Sequence, residues 1–207
     1  MAIQLARAGT VVVFCALEQE AGPLRAWLAG YPQVEIRLCG VGAQAAAQAV
    51  ARRLQQAPRP ALVISAGFCG ALRPQLRIGD IVHDAAVESV PFVLATPAQK
   101  RQWASHSAAW AVDLESATIC RLCQQYQVPC RVIRAVSDRW NETIPAEVLE
   151  ELAETQPGQS VAVQWIYRLV QRPTLLSDLF RLWRNSRRAA RSLARAVERC
   201  LVADKSA

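Results

Sequence analysis

Carboxylates follow three apolar runs of the sequence, at the points where the runs end. The acids and one neighbouring hydroxyl are Glu18, Glu20, Asp113, Glu115, Ser137 and Asp138. A carboxylate inside an apolar protein needs a partner or a raised pKa, because burial disfavours its charged form. Singly, each acid could be a helix cap or a solvated loop residue. Together, they predict one polar crevice that can give and take protons.

Glycines come after two other apolar runs. One segment is Gly40-Val-Gly42, and the other runs from Ser65 through Gly67, Phe68, Cys69 and Gly70. Glycine allows tight turns and lets the backbone approach a ligand closely. We therefore expect Gly42 and residues 67–70 to lie in turns at the same crevice.

The elements that would position these residues alternate along the chain. Strands are predicted at Thr10–Ala16, Val34–Cys39, Ala61–Ala66, Asp80–Val82, Val90–Ala95, Trp110–Val112 and Cys130–Val136. Helices are predicted at Pro23–Leu28, Ala43–Gln55, Pro97–His106 and Leu114–Tyr126, with Pro23 and Pro97 in their first turns. Continuous apolar strands between helices predict a three-layer α/β/α sandwich with a mixed, largely parallel central sheet, plus C-terminal helices. Ligands of such sheets bind beyond the carboxyl ends of the strands.

Composition limits the class of protein. The 207 residues are 52% hydrophobic and 20% charged, which suits one folded domain over residues 1–207. No apolar run reaches the roughly 18 residues of a membrane span. We interpret Thr10–Leu17 as a buried strand rather than a signal peptide, because Glu18 and Glu20 follow at once. A fibre, an integral membrane protein and a disordered chain are excluded.

The seven cysteines suit reduced thiols of a cytosolic protein better than a disulfide framework. Cys120-x-x-Cys123 could indicate a metal or redox site, but no second ligand pair follows it. We expect no metal and no cofactor.

The net charge of +7 is concentrated at the C-terminus. Residues 1–159 hold 14 basic and 14 acidic side chains, whereas residues 160–207 hold 10 basic and 3 acidic ones. On a helical wheel, arginines from Arg181 to Arg199 fall on one side, opposite an apolar side that includes Leu176, Trp183 and Leu193. The alternatives are a membrane-surface helix and a terminal helix packed on the sheet with solvated arginines. No aromatic interleaving or motif supports nucleic-acid binding.

The ordered motifs resemble those of the nucleoside phosphorylase and nucleosidase superfamily, whose best-known similar members are methylthioadenosine/S-adenosylhomocysteine nucleosidases. The motifs are Ala-Leu-Glu-Gln-Glu20, Gly-Val-Gly42, Ala-Gly-Phe-Cys-Gly70-Ala-Leu, Ile-Gly-Asp80-Ile-Val, Val-Asp-Leu-Glu115-Ser-Ala and Ile-Arg-Ala-Val-Ser-Asp138. They run in family order from residue 11 to about residue 140. Each is weak alone, and the ordered set is specific.

The resemblance implies a role for each matching residue. Glu20 would activate the attacking water, Glu115 would bind the ribose hydroxyls, and Asp138, helped by Ser137, would protonate the departing purine. Leu114 would lie under the ribose, and Asp113 is a further candidate binding residue. These roles suit cleavage of an N-glycosidic bond, in which positive charge grows on the sugar and negative charge on the base.

Water is favoured over phosphate as the nucleophile. In related phosphorylases, an Arg and a Ser stand where this chain has Ser65 and Phe68. Loss of a guanidinium and a hydroxyl removes groups that bind phosphate.

The segment between Asp80 and Asp113 is shorter than the family pattern. Only residues 81–112 intervene, which is 32 residues. Phe92, Leu94 and Thr96 are candidates for the base pocket. A pocket open on this side would suit a bulky substrate, or it could belong to a protein without activity.

The tail resembles that of one branch, the hopanoid-associated phosphorylases, through Val170-Gln-Arg-Pro-Thr-Leu-Leu and Leu182-Trp-Arg-Asn-Ser-Arg-Arg-Ala. This resemblance implies hydrolysis of adenosylhopane to ribosylhopane and adenine by a homodimer, cytoplasmic and peripheral on the inner membrane through its Arg181–Arg199 helix. The alternatives are a soluble methylthioadenosine/S-adenosylhomocysteine nucleosidase, a purine nucleoside phosphorylase, or a non-catalytic protein of hopanoid metabolism.

Overall fold

A seven-stranded sheet flanked by helices forms the centre of the protein. The computed structural model describes residues 9–149 and 174–202. The strands are β1 Val11–Cys15, β2 Val34–Leu38, β3 Leu62–Ala71, β4 Ile81–His83, β5 Val87–Ser89, β6 Ala111–Asp113 and β7 Cys130–Asp138. The helices are α1 Glu18–Trp27, α2 Ala43–Leu54, α3 Pro97–Ala104, α4 Ser116–Gln125 and α5 Thr174–Val202.

Strand β3 is the centre of the sheet. Its first half pairs in parallel with β1, which pairs in parallel with β2. Its opposite edge pairs in parallel with β7 along most of its length, and β4 adds to β7 antiparallel. The last two residues of β3 pair antiparallel with β6, which carries β5 in parallel. This mixed, mostly parallel sheet confirms the predicted fold class.

Helices cover both faces of the sheet. On one face, Leu24 of α1 and Leu193 and Val197 of α5 pack against apolar side chains of β1 and β3. On the other face, Val50 of α2 and Ile119 of α4 pack against the opposite side chains of the same strands. Because β1 and β3 are buried on both faces, their sequences are continuously apolar rather than alternating.

Two strand predictions require correction. Residues 90–95 form a loop, not a strand, because β5 ends at Ser89 and Pro91 lacks the N–H that pairing would use. Strand β3 continues to Ala71, so Gly67 and Gly70 lie inside a strand rather than in a turn.

The two prolines predicted at helix starts differ. Pro97 lies in the first turn of its helix, as predicted, and follows the N-cap residue Thr96, whose hydroxyl accepts a hydrogen bond from the Gln99 N–H. Pro23 lies inside α1, because this helix begins at Glu18, five residues earlier than predicted. The Glu20 carboxylate accepts hydrogen bonds from the N–H groups of Ala16 and Leu17, which fixes that earlier start.

Helix α5 contains the arginine-rich part of the predicted C-terminal extension. Its second half buries Ala190, Leu193 and Val197 against the sheet, as in the packed-helix alternative. Leu176 and Trp183, which were predicted on the apolar side, are exposed by 62% and 53%, because the buried side of the first half carries Leu175 and Asn185 instead. Residues 160–173 of the extension lie outside the described residues. In the ranges 9–149 and 174–202, no helix has the length and hydropathy needed to cross a bilayer.

Candidate active site

A cavity of about 170 Å³ lies beyond the carboxyl ends of β1, β3, β6 and β7. Nine residues predicted from the sequence as site residues line it, namely Phe68, Cys69, Gly70, Leu94, Asp113, Leu114, Glu115, Ser137 and Asp138. Apolar residues complete the wall, including Val41, Val90 and Ile144. The cavity is therefore an apolar crevice with acids at its edge.

Arg134 of β7 lies at the centre of the acidic residues. Its Nη2 is 2.6 Å from Asp113 Oδ2 and 3.8 Å from Glu115 Oε2, and it donates a hydrogen bond of 2.9 Å to Ser65 Oγ. Burial alone would lower the pKa of Arg134, but the carboxylates of Asp113, Glu115 and Glu20 raise it above its ordinary value. The guanidinium is therefore a permanent charge that holds the acids together.

Gly67 of β3 leaves the space that Arg134 occupies. A Cβ atom at this position would lie 2.1 Å from Arg134 Nη1 and 2.9 Å from Glu20 Oε1. Gly67 is not among the residues lining the cavity, so its role is to admit the guanidinium rather than to approach a ligand.

The Glu20 carboxylate is fixed by three backbone donors. Oε2 accepts from Ala16 N (2.8 Å) and Leu17 N (3.0 Å), and Oε1 accepts from Phe68 N (2.7 Å). Burial raises the pKa of Glu20 to about 7, against the opposing effects of Arg134 and these N–H groups. The residues that hold this carboxylate line the cavity, and Glu20 lies directly behind them. It can exchange a proton near neutral pH.

Glu115 is oriented by the loop after β2. The Gly42 N–H donates a hydrogen bond of 2.8 Å to Glu115 Oε1, and Gly42 has a φ of +88°, a conformation that favours glycine. Burial is the main cause of a raised pKa at Glu115. Gly42 thus acts by positioning Glu115, while its neighbour Val41 lines the cavity.

Asp138 ends strand β7 at the edge of the cavity. Its Oδ1 accepts a hydrogen bond of 2.9 Å from Ser137 Oγ, and its Oδ2 is 2.5 Å from Lys100 Nζ. A Cβ at Gly70 would lie 3.1 Å from Asp138 Oδ2, so Gly70 leaves room for this carboxyl group.

The acids differ in the chemistry open to them. Asp113 is occupied on both oxygens by Ser89, Ser116 and Arg134, which makes it a support for the guanidinium. Glu20 can exchange a proton near neutral pH, and Asp138 has a cation beside it. The carboxyl groups of Glu20, Asp113 and Glu115 surround the single guanidinium of Arg134, so acidic groups outnumber the cation three to one. Such a site stabilises a cation and repels an anion.

Two of the predicted base-pocket residues lie elsewhere. Phe92 is 53% exposed and lines a neighbouring cavity of about 480 Å³, with its ring 6.4 Å from that of Trp103. The Thr96 hydroxyl caps α3 and lines neither cavity. Leu94 lines both cavities and separates them.

Arg134 and Lys100 were not predicted as site residues. Arg134 stands inside the apolar run Val132-Ile-Arg-Ala-Val136, where a charge demands a buried partner. Lys100 follows a helix start, where a cation would ordinarily be solvated, so the sequence carries little signal for it.

The Cys120-x-x-Cys123 motif lies beside a third cysteine. Cys120 Sγ is 2.7 Å from Cys130 Sγ. Across the described ranges, no group of three or more His, Cys, Asp or Glu residues is arranged to hold a metal ion.

Comparisons with known proteins agree with this architecture. Residues 10–85 match the sequence profile of the Phosphorylase superfamily, and no curated protein matches the chain. The 5'-methylthioadenosine/S-adenosylhomocysteine nucleosidase of Helicobacter pylori superposes with a TM-score of 0.67 and 13% identity, over 93% of this chain and 97% of that one. The futalosine hydrolase of the same organism gives 0.67 and 14%, over 94% and 98%. The 5'-methylthioadenosine nucleosidase of Arabidopsis thaliana gives 0.66 and 14%, over 96% and 97%. The likeness establishes a shared fold.

Proposed function

We propose that this chain is a nucleosidase that hydrolyses the N-glycosidic bond of an adenosyl compound and releases adenine. The observation that carries the proposal is that Glu115 and Asp138 line one cavity, while Glu20 accepts hydrogen bonds from backbone groups of residues in its wall and Arg134 contacts Glu115. The Phosphorylase superfamily match over residues 10–85 and the fold shared with known nucleosidases support it.

The charges of the site suit the bond that would break. As the base leaves, positive charge develops on the sugar, and the acidic groups around Arg134 stabilise it. Asp138 provides the proton that the departing purine takes up. Glu115 accepts hydrogen bonds from the sugar hydroxyls, which orients the sugar beside the acids.

Water is the nucleophile in this proposal. Glu20, with a pKa of about 7, accepts the proton that the attacking water loses. A phosphate ion would meet acidic groups instead, and the cations Arg134 and Lys100 are already bound to Asp113 and Asp138. The phenyl ring of Phe68 at the cavity wall offers no donor for phosphate oxygens.

The test is to incubate the protein with 5'-methylthioadenosine, S-adenosylhomocysteine and adenosylhopane and to measure free adenine. Asp138→Asn should lower turnover about 100-fold or more, because a positioned acid contributes on that scale. Near-ultraviolet circular dichroism would verify that the variant folds. Absence of adenine from all three compounds would favour a non-catalytic protein, and a requirement for phosphate would indicate a phosphorylase.

We further propose adenosylhopane as the substrate, with the enzyme docked on anionic membrane by α5. Leu176, Phe180 and Trp183 are spaced along one side of the helix and are exposed by 62%, 60% and 53%. The rings of Phe180 and Trp183 stack, and Arg187 lies over Trp183. Exposed aromatic rings beside arginines suit the interface of an anionic bilayer.

This docking surface lies close to the cavity. Arg181 Nη2 donates a hydrogen bond of 2.9 Å to the carbonyl oxygen of Thr143, whose neighbour Ile144 lines the cavity wall. A substrate anchored in a membrane could therefore present its adenosyl group to the site of a docked enzyme. A second copy of the chain remains the expected partner, in a homodimer.

Membrane docking is tested by flotation with vesicles containing anionic or only zwitterionic lipids at low salt. Binding to anionic vesicles should fall with added salt and in a Phe180→Ser/Trp183→Ser variant. Trp27→Ser, which removes an exposed tryptophan from α1, is the matched control. Failure to bind anionic vesicles would refute docking, and adenine release from 5'-methylthioadenosine alone would refute the lipid substrate.

A further inference from the structure

Lys100 is a buried cation whose side chain is only 1% exposed. Its Nζ lies 2.5 Å from Asp138 Oδ2, 2.6 Å from the carbonyl oxygen of Arg139 and 3.2 Å from that of Glu142. An ammonium group has three N–H donors, and these three acceptors match them. Lys100 does not line the cavity, so it would act on a ligand only through Asp138.

The hydrogen bonds of this pair are complete whether the shared proton lies on Lys100 or on Asp138. In the ion pair, Lys100 donates to the Asp138 carboxylate and to two carbonyl oxygens. With the proton moved, Asp138 carries an O–H that donates to the amine nitrogen, and the amine keeps two N–H groups for the carbonyls of Arg139 and Glu142. No hydrogen bond is lost when the proton moves from one group to the other.

The residue type is also informative. The chain contains 22 arginines but only two lysines, Lys100 and Lys205. An ammonium group can give up its proton in a buried site, whereas a guanidinium group keeps its proton in proteins. A cation needed only for its charge would not require the rarer residue.

We propose that Lys100 is a positioning residue that provides, through Asp138, the proton taken by the departing base. This inference rests on the proposed function. The bond between the sugar and the base breaks, and its electron pair goes to the base, which takes the proton from Asp138 at a ring nitrogen. Asp138 is left as a carboxylate and Lys100 as a neutral amine. The water that adds to the sugar gives its proton to Glu20. Glu20 then releases a proton to solvent, and the Lys100–Asp138 pair takes one up from solvent.

The test compares two leaving groups in Lys100→Met and Lys100→Arg. The first substrate is 5'-methylthioadenosine, whose base needs a proton to leave. The second is a 4-nitrophenyl riboside with the same 5' substituent, whose nitrophenolate leaves without one. Both variants should lose about 100-fold in turnover of the first substrate and less than about 5-fold of the second. Arg101→Gln, an exposed cation next along α3, is the matched control and should change neither rate.

Each alternative outcome has a distinct meaning. Equal losses on both substrates would show a purely structural role, and full activity of Lys100→Arg would show that a fixed charge suffices. Either result overturns the inference and leaves the proposed function intact. If the wild-type protein cleaves neither substrate, the proposed function fails and the inference fails with it.

A double variant guards against misfolding. Adding Lys100→Met to Asp138→Asn should lower adenine release by less than about 3-fold beyond Asp138→Asn alone, because residues that act as one unit are not additive. A further loss close to that of Lys100→Met by itself would contradict action through Asp138.

Discussion

Glu20 combines tight hydrogen bonding with a proton that leaves near neutral pH. Three backbone N–H groups hold its carboxylate, yet burial still raises its pKa to about 7. A water-activating base must be unprotonated, so kcat/KM should rise about tenfold per pH unit below pH 7 and become constant above it. Measurement of adenine release between pH 5 and 9 checks this.

The control for this profile is another acid of α1. Glu20→Gln should remove the rise and leave a low rate at all pH values, whereas Glu18→Gln, at a side chain 60% exposed, should keep the wild-type profile. A rise that persists in Glu20→Gln would assign the titration to another group.

At the residue scale, the sequence predicts the acids better than their partners. Glu20 and Asp138 reach one edge of the sheet because Glu20 follows β1 and Asp138 ends β7, and both strands run parallel to β3. Asp113 and Glu115 follow the antiparallel strand β6 and reach the same place because β6 pairs with the last two residues of β3. The partners Arg134 and Lys100 come from inside a strand and from a helix, and only folding shows that their long side chains reach Asp113 and Asp138. Thr96 was predicted in the base pocket, whereas its hydroxyl caps α3.

At the scale of elements, the pairing of β3 with β7 builds the site. Gly67 of β3 lies opposite Arg134 of β7 in this parallel ladder. Because Gly67 has no side chain, the guanidinium of Arg134 occupies the space beside it. Gly67→Ala would place a methyl group 2.1 Å from Arg134 Nη1, so Arg134 must move away from Asp113. We expect a stability loss of about 1–3 kcal/mol and a drop in turnover of about 100-fold.

Urea unfolding and adenine release measure the two effects. Gly30→Ala is the matched control, because a Cβ at Gly30 has no atom within 4 Å. That variant should remain within about 0.5 kcal/mol of wild type, with unchanged turnover. A Gly67→Ala protein with wild-type stability would show that Arg134 has room to shift.

The element boundaries show what sequence patterns can and cannot specify. The buried strands β1, β3 and β7 were predictable, because their apolar runs are long. Residues 90–95 are equally apolar but form a cavity wall instead, with Val90, Val93 and Leu94 facing the crevice. An apolar run in a sequence indicates that the segment is buried. It does not tell a buried loop beside a cavity from a buried strand.

At the scale of the whole molecule, the cluster of acids around one arginine lowers the stability of the fold, and the proposed function requires this cluster. The carboxyl groups of Glu20, Asp113 and Glu115 lie buried around a single guanidinium. Burial raises the pKa of both Glu20 and Glu115, so the folded protein holds protons there that the unfolded chain has already released. A folded protein of this kind becomes less stable as pH rises.

The size of this effect follows for Glu20, whose pKa moves from 4.5 to about 7 on folding. Its stabilising contribution is fully present below pH 4.5, falls as pH rises to 7, and is constant above that. The wild-type free energy of unfolding should therefore fall by about 3 kcal/mol more than that of Glu20→Gln across this window. Urea unfolding of both proteins from pH 4 to 8 measures the difference, with Glu18→Gln expected to follow wild type. Parallel curves for wild type and Glu20→Gln would mean that Glu20 is ionised throughout, which would remove the basis for its role as a proton acceptor near neutral pH.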